Sequence, residues 1–152
     1  MTRILRLSLA QEKMILNHVI QHLPEEACGL LGGQGETVSV VIPVTNSLHS
    51  PVRFRMDPAE LLKALEWLDT EDLDLVGIFH SHPRGPATPS ETDLHEFAYP
   101  ESLMLIVSPV GKVWRLRAFE INIEKRTYEE ARLIIELSNF LNEAGFGSKE
   151  NI

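Results

Sequence analysis

Residues 73 to 93 read L-D-L-V-G-I-F-H-S-H-P-R-G-P-A-T-P-S-E-T-D, and this segment constrains the fold more than any other. Leu73 to His80 is a short apolar run with the pattern of a buried strand. Residues two apart on a strand share a face, so the His80 and His82 rings can converge on one ion if the strand continues through them. Ten residues separate His82 from Asp93, whose carboxylate is the candidate third ligand. A structural zinc site is normally closed by four protein ligands, whereas three N/O donors leave a position for water, the arrangement of a hydrolytic centre. The segment therefore predicts one Zn2+ with a bound water, held by His80, His82 and Asp93, and so an enzyme.

The rest of the chain has to supply a scaffold for that site. Its 152 residues, 43% of them apolar, suit one domain with one core. The expected domain covers residues 1–144, with 145–152 a loose tail. A single cysteine, Cys28, excludes an intrachain disulfide, a cysteine zinc cluster and a Cys-x-x-Cys redox pair, and favours a reducing, cytoplasmic setting. Gln11, Glu12 and Lys13 break the N-terminal apolar stretch before it could serve as a signal peptide. No apolar run approaches the roughly 20 residues of a membrane helix. Fourteen basic against twenty-two acidic residues give a net charge of −8, which argues against a nucleic-acid partner.

Along the chain, Thr2 to Ser8 reads as a strand, and Ser8 with Gln11 as the capping box of a helix to about His22. Ala27 to Gly32 and Thr37 to Val44 form a hairpin pattern around a glycine-rich turn. Asn46 to Val52 reads as loop. Asp57 caps a second helix with Pro58 at its first position, and Leu61, Leu62, Leu65 and Leu68 are its expected buried stripe. Prolines and Gly85 make a loop after His82, and Ser90 starts a short helix to about Tyr99. Leu103 to Ser108 and Lys112 to Phe119 are strands, with Phe119 to Ile123 a possible extension. Thr127 to about Glu143, with Ala131, Ile134, Ile135, Leu137 and Leu141, reads as a final helix.

Hydrolysis also needs a base that takes a proton from water and returns one to the leaving nitrogen. Glu25 and Glu26 stand at the entrance to the Ala27–Gly32 strand, and neighbours on an extended segment face opposite ways, so only one can look into the site. Ser90 has two compatible readings: helix N-cap, with Asp93 three residues on, and hydroxyl donor to the oxyanion, a contact worth about 3 kcal/mol of barrier when well aimed.

The runs E-A-C-G-L-L-G-G and H-S-H-P-R-G-P-A-T-P-S-E-T-D together resemble the JAMM (MPN-plus) zinc metalloprotease family, in its short prokaryotic form. The resemblance implies His80, His82 and Asp93 as zinc ligands, Glu26 rather than Glu25 as general acid/base, and Ser90 as oxyanion donor. It also implies an α/β (α+β) fold, a mixed β-sheet sandwiched by helices and related to the cytidine-deaminase architecture. Short relatives act after the terminal Gly-Gly of small carriers. The implied substrate is thus a ubiquitin-like or sulfur-carrier protein, cut at a peptide or isopeptide bond on its C-terminal tail. An extended tail added as a strand beside the sheet would suit such a groove. The alternative from another class is a non-catalytic scaffold module of the same fold.

Other features have plainer readings. His18 and His22 have i, i+4 spacing, but Val19 stands where a zincin needs glutamate. G-L-L-G-G-Q-G lacks the order of a nucleotide loop, Cys28 reads as a small core residue, and His49, Arg84 and His95 read as surface side chains, with Arg84 a candidate substrate contact.

Overall fold

The structure, a computed structural model, describes residues 2–137. Its elements run β1 (Ile4–Ser8), α1 (Leu9–Gln21), β2 (Cys28–Gln34), β3 (Thr37–Val44), α2 (Pro58–Thr70), β4 (Asp74–Ser81), α3 (Glu91–Glu96), β5 (Leu103–Val110), β6 (Val113–Asn122) and β7 (Thr127–Glu136). The strands lie in the order β1-β3-β2-β4-β5-β6-β7 and the sheet closes on itself, because β1 pairs in parallel with β7. β4 and β5 are also parallel, whereas β2 runs antiparallel to both β3 and β4.

Strand alternation divides the core between two faces. Leu31, Phe79 and Leu105 pack with Ile15 and Val19 of α1, while their neighbours Leu30, Ile78 and Ile106 pack with Ala64 and Leu68 of α2. The sheet is thus mixed and covered by helices on both faces, as the family resemblance implies. Buried on both sides, β2, β4 and β5 are continuous apolar runs.

The caps form as their residues dictate. Ser8 and Gln11 make a complete capping box at α1, and the Asp57 side chain accepts the Glu60 N–H at 3.0 Å with Pro58 in the first turn of α2. The buried stripe of α2 differs from expectation. Ala64 and Leu68 are its buried residues, Leu61 and Leu65 are half-buried, and Leu62 is 59% exposed. Ala64 and Leu68, four residues apart, face the core, and Leu62 lies off that face. A Cβ on Gly32 would stand 2.3 Å from a Leu68 methyl, so that glycine makes room for the helix.

The expected final helix is a correction: Thr127–Glu136 is strand β7, in register with β6 through Ala118↔Ala131 and with β1 through Ile4↔Arg132. Two open strand edges offer this segment more backbone hydrogen bonding and packing than its helix-forming residues gain locally. The continuation to Glu143 and the tail 145–152 lie outside the described residues. The short helix also stops earlier than expected, at Glu96 rather than near Tyr99. No helix among the described residues is long and apolar enough to cross a membrane.

Gly29 sits where β2 meets β4. A Cβ there would lie 2.4 Å from two Phe79 ring carbons and 2.6 Å from the Ile42 carbonyl oxygen. Gly29→Ala is therefore expected to destabilise the fold by about 1–3 kcal/mol through overpacking, read as a lower denaturant midpoint with unchanged slope.

Candidate metal centre

β4 delivers the histidines. It runs through Ser81, and the His82 N–H still donates to the Val107 carbonyl at 2.9 Å, so extended pairing carries past His80 and the two rings fall together. His80 is fully buried, with Phe54 stacked on its ring at 4.4 Å between centroids and 24° between planes. Asp93 arrives from α3. His80 Nε2 lies 3.0 Å from His82 Nε2, and each nitrogen lies 3.1 Å from Asp93 Oδ2. Three donor atoms from three positions meet at one point.

Their partners decide what that point can hold. His82 Nδ1 lies 2.8 Å from the Pro86 carbonyl oxygen, which can only accept, so Nδ1 carries a proton; Nε2 then donates to Asp93 when the ring is protonated and presents a lone pair when it is neutral. Asp93 Oδ2 accepts the Ser90 N–H at 2.8 Å and is fixed toward the histidines. Burial alone would raise the Asp93 pKa, but hydrogen bonds from His80 and His82 outweigh it and hold the carboxyl well below the usual carboxylate range. Burial lowers the His80 pKa; the same burial acts on His82, yet Asp93 and the Pro86 carbonyl raise that ring's pKa overall. The pocket thus collects positive charge, either as a proton on His82 or as a cation. Two imidazole nitrogens and one carboxylate oxygen at this spacing fit a divalent metal, since ligand atoms about 2.0–2.1 Å from a tetrahedral ion lie roughly 3.3 Å apart. His80 Nδ1 has no hydrogen-bond partner among the described residues.

Glu26 is buried, at 5% exposure, just before β2. One of its carboxylate oxygens and one ring nitrogen each from His80 and His82 all lie within 4.8 Å of one another. Glu25 faces elsewhere, its carboxylate 3.1 Å from His49 Nδ1. Burial pushes the Glu26 pKa up to about 7, opposed by His82 and aided by Asp93. A raised carboxyl pKa destabilises the fold as pH rises, because the unfolded chain loses its proton first. Metal-free protein should therefore lose stability between about pH 4.5 and 7 on this account. Glu26→Gln is expected to raise the stability of the metal-free chain by about 1–2 kcal/mol at pH 8, a discounted figure because the side chain borders an open cleft. Thermal melts in chelator should show the gain disappearing below pH 4.5.

Glu26, His82 and Ser90 line one side of a cleft of about 130 Å³ whose other walls are Pro51, Val52, Pro83, Arg84, Gly85 and Pro86. Ser90 is the N-cap of α3, its Oγ accepting the Asp93 N–H at 3.0 Å, which leaves its hydroxyl proton free to donate. A more apolar cavity of about 200 Å³ lies behind Asp93, walled by Phe54, Ile78, Phe97 and Met104, and holds neither histidine.

The geometry brings together all five residues singled out in the sequence. Sequence reasoning missed Phe54, the Pro86 carbonyl and Ser81, whose Oγ accepts the Ala27 N–H at 2.8 Å and ties Glu26's neighbour to β4. No pattern in the chain marks Phe54 or Ser81, since their partners, His80 and Ala27, lie far from them in sequence. Among the described residues His18 joins no second cluster of metal-ligating side chains; its Nε2 lies 3.0 Å from the Cys28 carbonyl oxygen. Cys28 is buried, and burial pushes its thiol pKa up to about 12, the state of an inert core thiol.

The family model described as prokaryotic homologs of the JAB domain matches residues 10–122. The chain belongs to this family. It is 40% identical over 120 residues to a protein of Pyrococcus furiosus named desampylase, covering 78% of this chain and 81% of that one. It is 36% identical over 102 residues to the CysO-cysteine peptidase of Mycobacterium tuberculosis, covering 62% and 68%. Among solved structures, it resembles that of a Desulfitobacterium hafniense protein, with a TM-score of 0.78, 35% identity, and coverage of 89% and 94%. Family and relatives make the chain a hydrolase of the JAMM peptidase type.

Proposed function

We propose that the protein is a zinc-dependent peptidase or isopeptidase that cuts a bond at the C-terminal tail of a ubiquitin-like or sulfur-carrier protein. The observation that carries this reading is the meeting of His80 Nε2, His82 Nε2 and Asp93 Oδ2 within 3.1 Å beside a buried glutamate in an open cleft. The substrate class is supported by relatives named desampylase and CysO-cysteine peptidase.

His80, His82 and Asp93 would hold one zinc ion, which supplies Lewis acidity toward a carbonyl oxygen and lowers the pKa of water. Glu26 accepts a proton from the attacking water and returns it to the departing nitrogen as the C–N bond breaks. Ser90 Oγ–H donates to the oxygen on which negative charge develops. The prolines of the cleft rim keep the loop stiff around an extended tail. A cytoplasmic setting suits the lone, buried, unpaired Cys28.

Incubating the purified protein with small β-grasp carriers extended beyond their terminal Gly-Gly tests reaction and substrate class together. Chelator-sensitive release of the extension is expected; intact carriers in the presence of zinc would refute the reading.

A further inference from the structure

Glu26 precedes β2, whose strand pairing begins at Cys28, and the position of its carboxylate depends on what holds its own peptide. The segment 46–56 does. The Glu26 N–H donates to the Ser50 carbonyl at 2.8 Å, and the Glu26 carbonyl accepts from Asn46 Nδ2 at 2.9 Å. Asn46 is itself buried, at 5% exposure.

That one amide uses its full hydrogen-bonding capacity. Nδ2 also donates to the Arg53 carbonyl at 3.0 Å, with a longer contact to Ser50 O at 3.4 Å. Oδ1 accepts the N–H groups of Leu48 and Arg55, each at 3.1 Å. Arg53 and Arg55 flank Phe54, the ring stacked on His80. The loop also supplies Pro51 and Val52 to the cleft rim. A single side chain therefore fixes the glutamate's peptide, the aromatic cover of one histidine and one wall of the cleft in a common frame.

We propose that Asn46 is a positioning residue for hydrolysis: it sets the reach of the Glu26 carboxylate and locks residues 46–56 against the metal centre. The proposal rests on the reading of Glu26 as the acid/base. Asn46 touches no reacting atom, so its contribution is made through Glu26. A misplacement on the order of 1 Å at a catalytic group costs about 10²-fold in rate.

Asn46→Asp is the sharper variant, because it retains an acceptor oxygen for Leu48 and Arg55 but cannot donate to Glu26 or Arg53. On a β-grasp carrier with a short peptide after its Gly-Gly, kcat should fall about 10²-fold, with KM and zinc content close to those of the parent protein. In a Glu26→Gln background the same change should cost nothing further, since the two residues act as one unit. Amide exchange of the metal-free Asn46→Ala protein gives a readout independent of turnover: the Glu26, Leu48 and Arg55 N–H groups should lose protection while those of β4 keep theirs. An unchanged kcat, an equal loss in the Glu26→Gln background, loss of zinc, or unchanged Glu26 protection would each overturn the role of Asn46. Turnover surviving in Glu26→Gln alone would instead overturn the acid/base assignment.

Discussion

Glu26→Gln is expected to retain about one zinc per chain and to lose turnover by about 10²- to 10⁴-fold, the range of a general acid/base. The amide fills the same space beside His80 and His82 but can neither accept a proton from water nor return one to the leaving nitrogen. Because the three proposed ligands are untouched, metal content measured on the purified variant should match the parent protein. The combination matters: loss of zinc with activity would make Glu26 a ligand, and activity retained would remove it from the chemistry. The same variant should make the metal-free chain more stable at high pH, as argued above, so one substitution moves stability and rate in opposite directions.

Metal removal is the second large effect. Dialysis against a strong chelator should reduce hydrolysis to background, and one equivalent of zinc should restore it. Asp93→Ala should do the same without recovery, since it deletes the oxygen on which both histidines and the Ser90 N–H converge. That variant also loses half of the capping box of α3, a further cost of about 1 kcal/mol in stability. Zinc should be released as pH falls, because a proton and the metal compete for the same His82 lone pair. Titrating zinc occupancy against pH, with Glu26→Gln in parallel, separates ligand protonation from loss of the base. Occupancy that ignores both chelator and Asp93→Ala would place the ion elsewhere.

Much of the site was legible in the chain because it is nearly local. His80 and His82 lie two apart on one extended run, and a short loop returns Asp93 to them through a capped helix whose start Ser90 announces. Glu26 was harder, since nothing in its neighbourhood separates it from Glu25; the family motif made that choice, and the structure shows Glu25 turned to His49. Asn46 read only as the start of a loop, because its hydrogen bonds go to backbone groups as far away as Glu26 and leave no sequence pattern. β7 misled for a different reason. T-Y-E-E-A-R-L-I-I-E is rich in helix formers, with Ala131, Ile134 and Ile135 at helical spacing, yet its conformation is set by partners far along the chain in β1 and β6. Leu62 likewise followed the helical stripe on paper, but the buried face of α2 is centred on Ala64 and Leu68 and leaves Leu62 outside it.

The pairing of β7 with β1 reaches beyond architecture. Sheets that end in bare rims invite foreign strands, whether a substrate tail or another molecule's edge. Here β7 and β1 spend those rims on each other over five register positions, so neither of the two flanks is left open to a foreign strand. Cutting the chain back before residue 127 would undo that arrangement twice over, baring one flank of β6 and one of β1 and leaving a molecule prone to stick to its own kind.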